Sequence, residues 1–177
     1  QLSDAPRDEW EVTIPAKDLL VLSPKLIPTG EKKPNPYPKG MKLKGVVLDD
    51  VFGGLEENAT FRVKGKSQAI EVIYGKDYLI GVVYAPAGQS FICFEPMTAP
   101  PNPFHTPGTY NTIAPGMTWR ASSWLRPRGF SGRLLLDGRG SLGGCRSCSL
   151  RSGGCGNCRG GVRVVELDHF VGDVERV

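Results

Sequence analysis

The sequence predicts an all-β fold of antiparallel strands, on three observations. Short apolar or alternating runs recur along the first 125 residues, with a side-chain period of two rather than the helical period. Turn-forming residues separate these runs, and the chain is rich in both Gly (23) and Pro (15). The close, even spacing of the runs favours a sandwich over a parallel sheet with crossover helices.

Eight runs are predicted strands, and five turn signals separate them. The weaker strand candidates are Trp10–Ile14, Lys17–Leu22, Lys42–Leu48 and Thr60–Val63, and the stronger ones are Ala69–Tyr74, Tyr78–Tyr84, Ser90–Glu95 and Met117–Leu125. The turn signals are Pro28-Thr29-Gly30, Gly53-Gly54, Gly75-Lys76-Asp77, Pro86-Ala87-Gly88 and Pro115-Gly116. Pro34, Pro36 and Pro38 lie between runs, where a missing N–H does least harm.

Length and charge narrow the class of protein. A chain of 177 residues is long enough for one domain with its own core. The net charge of +4 does not by itself argue for nucleic acid, and no nucleic-acid partner is expected. No stretch approaches the ~20 apolar residues of a membrane helix, and the N-terminus has no signal segment. We therefore expect a cytoplasmic protein without a membrane partner.

Composition changes along the chain and predicts a boundary. All ten Lys lie at or before Lys76, whereas nine of the twelve Arg lie at or after Arg126. Residues 1–126 are predicted to form the folded β domain, and residues 127–177 a low-complexity tail. The stretch from Arg128 to Gly161 has too few apolar residues to offset the entropy of ordering it, so we expect it to be disordered.

The best chemical signal lies in Phe91-Ile92-Cys93-Phe94-Glu95-Pro96. On a strand, Phe91, Cys93 and Glu95 share one face. Pro96 restricts Glu95 to an extended conformation and is expected to end the ladder. A partly desolvated carboxylate at that strand end would have a raised pKa, which suits proton transfer. The alternative is a solvated surface carboxylate without special chemistry.

Several motifs resemble the aldose 1-epimerase (mutarotase) family, in the family's order. The segment Tyr84–Thr98 is similar to the one that carries the family's catalytic Glu, and Ala99–Phe104 continues the match. Leu26–Glu31 resembles the family's "PTGE" turn, Leu48–Phe52 its "D-x-x-F" sugar-binding segment, and Ala114–Ser122 its closing strand. The resemblance covers about Ile14 to Leu125, the C-terminal half of such a domain.

This resemblance implies a galactose mutarotase-like β-supersandwich that interconverts the α and β anomers of a hexose. Glu95 would be the general base at the anomeric hydroxyl. Asp49 would bind sugar hydroxyls, with Asp50 the second choice. His105 could line the sugar cleft from its Pro-rich loop, although a solvated loop His is the simpler interpretation. No cofactor is implied, and the expected ligand is a small sugar.

The family's general acid, a His in an "N-H-x-Y-F-N" type motif, has no counterpart in this sequence. We therefore expect a truncated isomerase domain with half an active site. The alternatives are a non-catalytic carbohydrate-binding module and a relative of the hexose-6-phosphate 1-epimerases. The sequence does not decide which sugar binds, whether it is phosphorylated, or the oligomeric state.

Four cysteines in the tail form two CxxC pairs, Cys145/Cys148 and Cys155/Cys158, separated by six residues. Such pairs could supply four thiolates to tetrahedral zinc. The spacer is shorter than in zinc ribbons and its surroundings are Gly-rich, so no metal is expected. Disulfides are a further alternative, without a secretion signal to support them. Cys93 is expected to be a buried core thiol.

Overall fold

The computed structural model describes residues 2–105 and 108–130, together with the backbone of residues 165 and 166. In these ranges the chain forms eleven strands and two short 3-10 helices, Arg7–Glu9 and Pro103–His105. The strands are β1 Glu11–Thr13, β2 Asp18–Leu22, β3 Pro28–Pro34, β4 Met41–Lys42, β5 Leu48–Gly53, β6 Ala59–Lys64, β7 Ala69–Tyr74, β8 Ile80–Ala85, β9 Cys93–Met97, β10 Ser123–Arg128 and β11 Val165–Glu166. No helix within this part of the chain could span a membrane.

The strands form two antiparallel sheets that face each other. The first sheet has the order β11-β10-β7-β6-β1-β4, and the second has the order β3-β2-β5-β8-β9. One apolar cluster fills the space between them, with Val12, Phe61 and Tyr74 from the first sheet and Phe52 and Val83 from the second. The predicted all-β antiparallel fold is confirmed, and the two facing sheets make a β-sandwich.

Aromatic rings set how closely the sheets approach. The ring of Phe61 stacks on that of Tyr74, with ring centroids 4.4 Å apart. It also contacts the ring of Phe94 from the second sheet at a tilted angle, with ring centroids 5.7 Å apart. Gly81 of β8 lies under these rings: a Cβ at Gly81 would be only 2.5 Å from the Cζ of Phe61. A glycine is therefore required for close packing here, rather than for a special backbone angle.

Two polar side chains hold loops at opposite ends of the sandwich, the half-buried Arg7 near the start of β1 and the buried Asn35 beyond its end. The Arg7 guanidinium donates hydrogen bonds to the backbone oxygens of Leu43 (2.9 Å), Val46 (2.8 Å) and Ala85 (3.1 Å). The Asn35 side-chain amide donates hydrogen bonds to the backbone oxygens of Ile14 (3.1 Å) and Ala16 (2.9 Å), which follow β1. These hydrogen bonds connect the loops to the strands and satisfy backbone carbonyl groups.

The predicted strand Lys42–Leu48 is wrong. Only Met41 and Lys42 pair with β1, and the chain then turns, with the Val46 amide donating to the oxygen of Leu43. Arg7 holds this turn, so Leu43 can enter the core completely while the following residues leave the sheet. The strand resumes at Leu48 as β5.

The predicted turn at Pro28-Thr29-Gly30 is also wrong, because these residues begin β3. The actual turn is earlier, where the Ile27 oxygen accepts a hydrogen bond from Ser23 and Leu26 takes a positive φ of 58°. β3 is an edge strand, and edge strands tolerate proline because one side of their backbone pairs with nothing.

The boundary predicted between residues 126 and 127 falls inside β10. This strand pairs with β7 as far as Arg128, opposite Ala69. Phe130 packs against the core cluster. The expectation of a disordered Arg128–Gly161 segment concerns residues that, beyond Phe130, lie outside the described ranges.

Candidate functional site

Glu95 lies in the middle of β9, at the edge of the second sheet. It pairs with Val82 of β8, and the ladder continues through Pro96, opposite Gly81, to Met97, opposite Ile80. The expectation that Pro96 ends the strand is therefore wrong. Because β9 is an edge strand, the missing N–H of Pro96 need not interrupt the pairing with β8.

The Glu95 side chain is exposed, since no described residue covers it. The partial burial expected from the sequence is therefore not observed. Its neighbour Phe94 faces inward, against the ring of Phe61. Because side chains alternate along a strand, Glu95 faces outward, away from the core. Its carboxylate is thus accessible to a ligand on the outer surface of the sheet.

Cross-strand pairing identifies the residues that share this outward surface, which we name the Glu95 face. Residues directly opposite each other in an antiparallel ladder project to the same side. The rows run Leu20–Val51–Val82–Glu95 and Asp49–Tyr84–Cys93. The sequence expectation that Cys93 and Glu95 share a face agrees with this register, and the face combines an apolar floor with two exposed carboxylates.

Asp49 lies on the same face as Glu95, two strands away. It is exposed, and it pairs with Tyr84, which in turn pairs with Cys93. Two strand spacings and an offset of two residues put the Cα atoms of Asp49 and Glu95 about 12 Å apart. That distance leaves room for one sugar ring between the two side chains.

Asp50 projects to the opposite side. It pairs with Val83, which is completely buried in the core. Burial, and then the negative charge of Asp49, raise the pKa of the Asp50 carboxyl above its usual value. The structure therefore separates the two adjacent aspartates, and only Asp49 shares a surface with Glu95.

An aromatic pair borders the two carboxylates. Tyr84 and Phe91 are in contact, with ring centroids 6.1 Å apart, and both are half-buried. Cys93 lies opposite Tyr84 on the same face. Burial, and then the charge of Glu95, raise the pKa of the Cys93 thiol. Sequence reasoning placed Cys93 in the core, whereas the register puts it beside Glu95 on the outer face.

The remaining candidate residues are His105, which follows β9 outside the sheets, and four cysteines outside the described ranges. His105 ends the second 3-10 helix and is exposed; its backbone amide donates to the oxygen of Asn102. Cys145, Cys148, Cys155 and Cys158 lie outside the described residues. Among the described residues, no group of three or more His, Cys, Asp or Glu could hold a metal ion.

Tyr74 is a buried group near Glu95 that sequence reasoning did not single out. Its ring is completely buried, and its hydroxyl group has no hydrogen-bond partner among the described residues. Burial, then the charge of Glu95 and of Tyr78, raise the pKa of this hydroxyl above its usual value. Because Tyr74 is completely buried, its hydroxyl group is not accessible to a ligand on the Glu95 face.

No family model matches this chain, and no curated protein matches it significantly. The resemblance to aldose 1-epimerases therefore stays a prediction from the motifs.

Proposed function

We propose that the Glu95 face binds a hexose and supplies the base half of an aldose 1-epimerase site. The observation that carries this proposal is the shared outward face of Glu95 and Asp49, with space for one sugar ring between them. Tyr84 and Phe91 support it, because aromatic faces beside carboxylates suit a ligand with apolar C–H patches and polar hydroxyls.

The proposed chemistry begins at the anomeric hydroxyl. Glu95 accepts the O1 proton, the C1–O5 bond breaks, and its electron pair moves to the ring oxygen, which takes a proton. After rotation about C1–C2, the O5 hydroxyl attacks the other face of the carbonyl and loses its proton to water, while Glu95 returns its proton to O1, which gives the second anomer. Asp49 accepts hydrogen bonds from sugar hydroxyls, which fixes the ring over Glu95.

The ring oxygen needs an acid, and this sequence lacks the motif that carries it. We expect water to protonate O5, which forfeits about two to four powers of ten in rate. Polarimetry on α-glucose and α-galactose should therefore show negligible enzymatic mutarotation by this chain. Rapid mutarotation that disappears in His105→Asn would contradict this expectation and assign the acid to His105.

Chemical rescue tests the base directly. A small external acid such as imidazolium should accelerate mutarotation in the presence of the chain beyond the sum of the buffer and protein rates. Glu95→Gln should abolish that excess, whereas Glu57→Gln, which also removes one exposed carboxylate, should retain it. An excess that persists in Glu95→Gln would remove Glu95 from the mechanism.

The second candidate is a carbohydrate-binding module without catalysis. The aromatic pair and the missing acid motif favour it, because both are compatible with binding alone. Calorimetric titration with galactose and glucose should detect binding that Asp49→Asn and Tyr84→Leu each weaken. Binding without any rescued mutarotation would select this candidate, and absence of binding to either sugar would reject both.

A further inference from the structure

We infer that the outer face of the first sheet carries an anion site for a phosphate monoester attached to a ring. The site consists of three arginines around one glutamate, together with Trp124 in the adjoining cleft. It lies on a different sheet from Glu95 and does not depend on the proposed function.

The charged part of the site is a row across three strands. Arg62 of β6, Glu71 of β7 and Arg126 of β10 are directly opposite each other in the ladder, and Arg128 lies one row further along. All project outward, since Phe61 and Val63 on either side of Arg62 are buried in the core. Register alone therefore assembles three guanidinium groups around one carboxylate.

Glu71 does not occupy all the hydrogen-bond donors of the three arginines. Its carboxylate accepts a good hydrogen bond from Arg128 (Nε to Oε2, 3.1 Å), and a longer one from the Nη1 of Arg126 at 3.5 Å. The Nε of Arg62 lies 3.7 Å away, is buried and has no hydrogen-bond partner among the described residues, so Arg62 can offer a ligand only its terminal nitrogens. Three positive charges against one negative charge leave a net charge of +2 on the cluster.

The arginines remain accessible while the glutamate does not. The Glu71 side chain is 13% exposed, whereas those of Arg62, Arg126 and Arg128 are 39%, 35% and 50% exposed. The carboxylate thus lies beneath the guanidinium groups and holds them together against their mutual repulsion. Planar guanidinium groups with free N–H donors match phosphate oxygens better than lysines do.

A cleft next to the arginines supplies the ring-binding part. It has a volume of about 420 Å³, and its lining includes Asn58, Thr60, Trp124 and Arg126. Trp124 is directly opposite Ile73, one row from the Glu71–Arg126 pair. This volume falls in the usual range for small-molecule sites, and an indole beside a guanidinium favours a ligand with a ring and an anionic group.

The first experiment is calorimetric titration of the full chain, at low ionic strength, with phenyl phosphate, inorganic phosphate and phenol. We expect phenyl phosphate to bind about fivefold or more tightly than inorganic phosphate because of ring stacking, and phenol not to bind. Adenosine monophosphate and glucose 6-phosphate then distinguish a nucleotide from a sugar phosphate, and binding of either supports the site. No binding of any phosphate would overturn it.

Matched variants locate the binding. Arg126→Gln should weaken phenyl phosphate about tenfold or more, the usual worth of a charge-assisted hydrogen bond. Lys66→Gln removes one charge from an exposed ion pair with Glu9 and should have less than about a twofold effect. Equal losses in the two variants would show a general charge effect and contradict the proposal. Trp124→Leu should reduce the affinity for phenyl phosphate to that for inorganic phosphate.

Glu71→Gln gives a test of opposite sign. Removing the competing carboxylate should strengthen phosphate binding, whereas a purely structural cluster would lose order and bind nothing. Glu95→Gln should leave phosphate binding unchanged, which separates this site from the sugar site.

If Arg126→Gln does not fold, the Trp124 indole resonance of the unmodified chain is the alternative measurement: a shift on addition of phenyl phosphate supports the site, and no shift contradicts it. A single-stranded RNA that binds while the monophosphates do not would overturn the proposal.

Discussion

Replacing Gly81 with alanine tests how the two sheets pack. Gly81 pairs with Phe52 on one side and with Pro96 on the other, next to Glu95. An added methyl group would lie 2.5 Å from the Cζ of Phe61 and 3.1 Å from the Cε2 of Tyr74. Gly81 is not among the residues with positive φ, so the substitution introduces a packing conflict without backbone strain.

The magnitude follows from these distances. Carbon atoms pack best at about 3.5–4.0 Å, so the Phe61 ring must move by about 1 Å. That ring is held by its stack on Tyr74 and its contact with Phe94, and overpacking of this kind costs about 1–3 kcal/mol. Alanine regains about 0.5–1 kcal/mol by restricting the unfolded chain. The net loss of unfolding free energy should be about 1–2 kcal/mol.

Urea unfolding followed by circular dichroism measures this loss. Gly53→Ala is the matched control, because its methyl group would meet the Cδ1 of Leu20 at 2.8 Å, the end of a flexible side chain. We expect a change below about 0.5 kcal/mol for the control, as for other substitutions without a strong mechanism. Phe61→Leu should cost less in the Gly81→Ala background than alone. A Gly81→Ala variant as stable as the unmodified chain would refute the packing described here.

Two further substitutions test half-buried charged groups. Arg7→Met should lower the unfolding free energy by about 3 kcal/mol or more, since it removes three hydrogen bonds from a charged group to backbone oxygens, of which the Leu43 oxygen keeps the Val46 amide as a donor; an unchanged urea midpoint would contradict this. Asp50→Asn should stabilise the chain at neutral pH. The pKa of the Asp50 carboxyl is higher in the folded chain than in the unfolded chain. Protonated Asp50 therefore favours the folded chain: the stabilisation is complete below the pKa of the unfolded chain and is lost as pH rises through the pKa of the folded chain. The gain from Asp50→Asn should therefore vanish in acid, and a gain that persists there would exclude ionisation as its cause.

The local alternation of side chains was sufficient to predict three of the four stronger strands, whereas the prediction Met117–Leu125 overlaps β10 only from Ser123 to Leu125. Ala69–Tyr74 has the same bounds in the sequence interpretation and in the structure, and β8 and β9 differ by one to three residues at their ends. These segments contain consecutive large apolar residues with one face in the core. Their burial dominates local preference, which makes the sequence pattern a reliable guide.

The edge strand β3 could not be predicted in the same way. Its residues, Pro28 to Pro34, are almost entirely exposed, and their composition is typical of a turn. They pair because β2 offers an open backbone edge, and the Thr29 hydroxyl donates to the oxygen of Val21. Backbone hydrogen bonds of this kind leave no hydrophobic pattern in the sequence.

The arginine cluster was missed for a different reason. Arg62 and Arg126 are 64 positions apart, and only the pairing of β6, β7 and β10 brings them to either side of Glu71. The sequence interpretation instead ended the folded domain at Arg126 and assigned Arg128 to a tail. A signal was present in the alternation of Trp124, Arg126 and Arg128, which predicts one outward face if the strand continues beyond Leu125.

The two adjacent aspartates show how much of the candidate site depends on strand register. Asp49 and Asp50 are equivalent in composition and charge, yet β5 projects one outward beside Tyr84 and the other inward beside Val83. A shift of one residue would exchange them and move Leu48 and Phe52 out of the core, which their complete burial makes very costly. The core therefore fixes which aspartate faces outward. Because β8 carries the same register on to β9, the packing that buries Phe52 also places Glu95 on the side of Asp49.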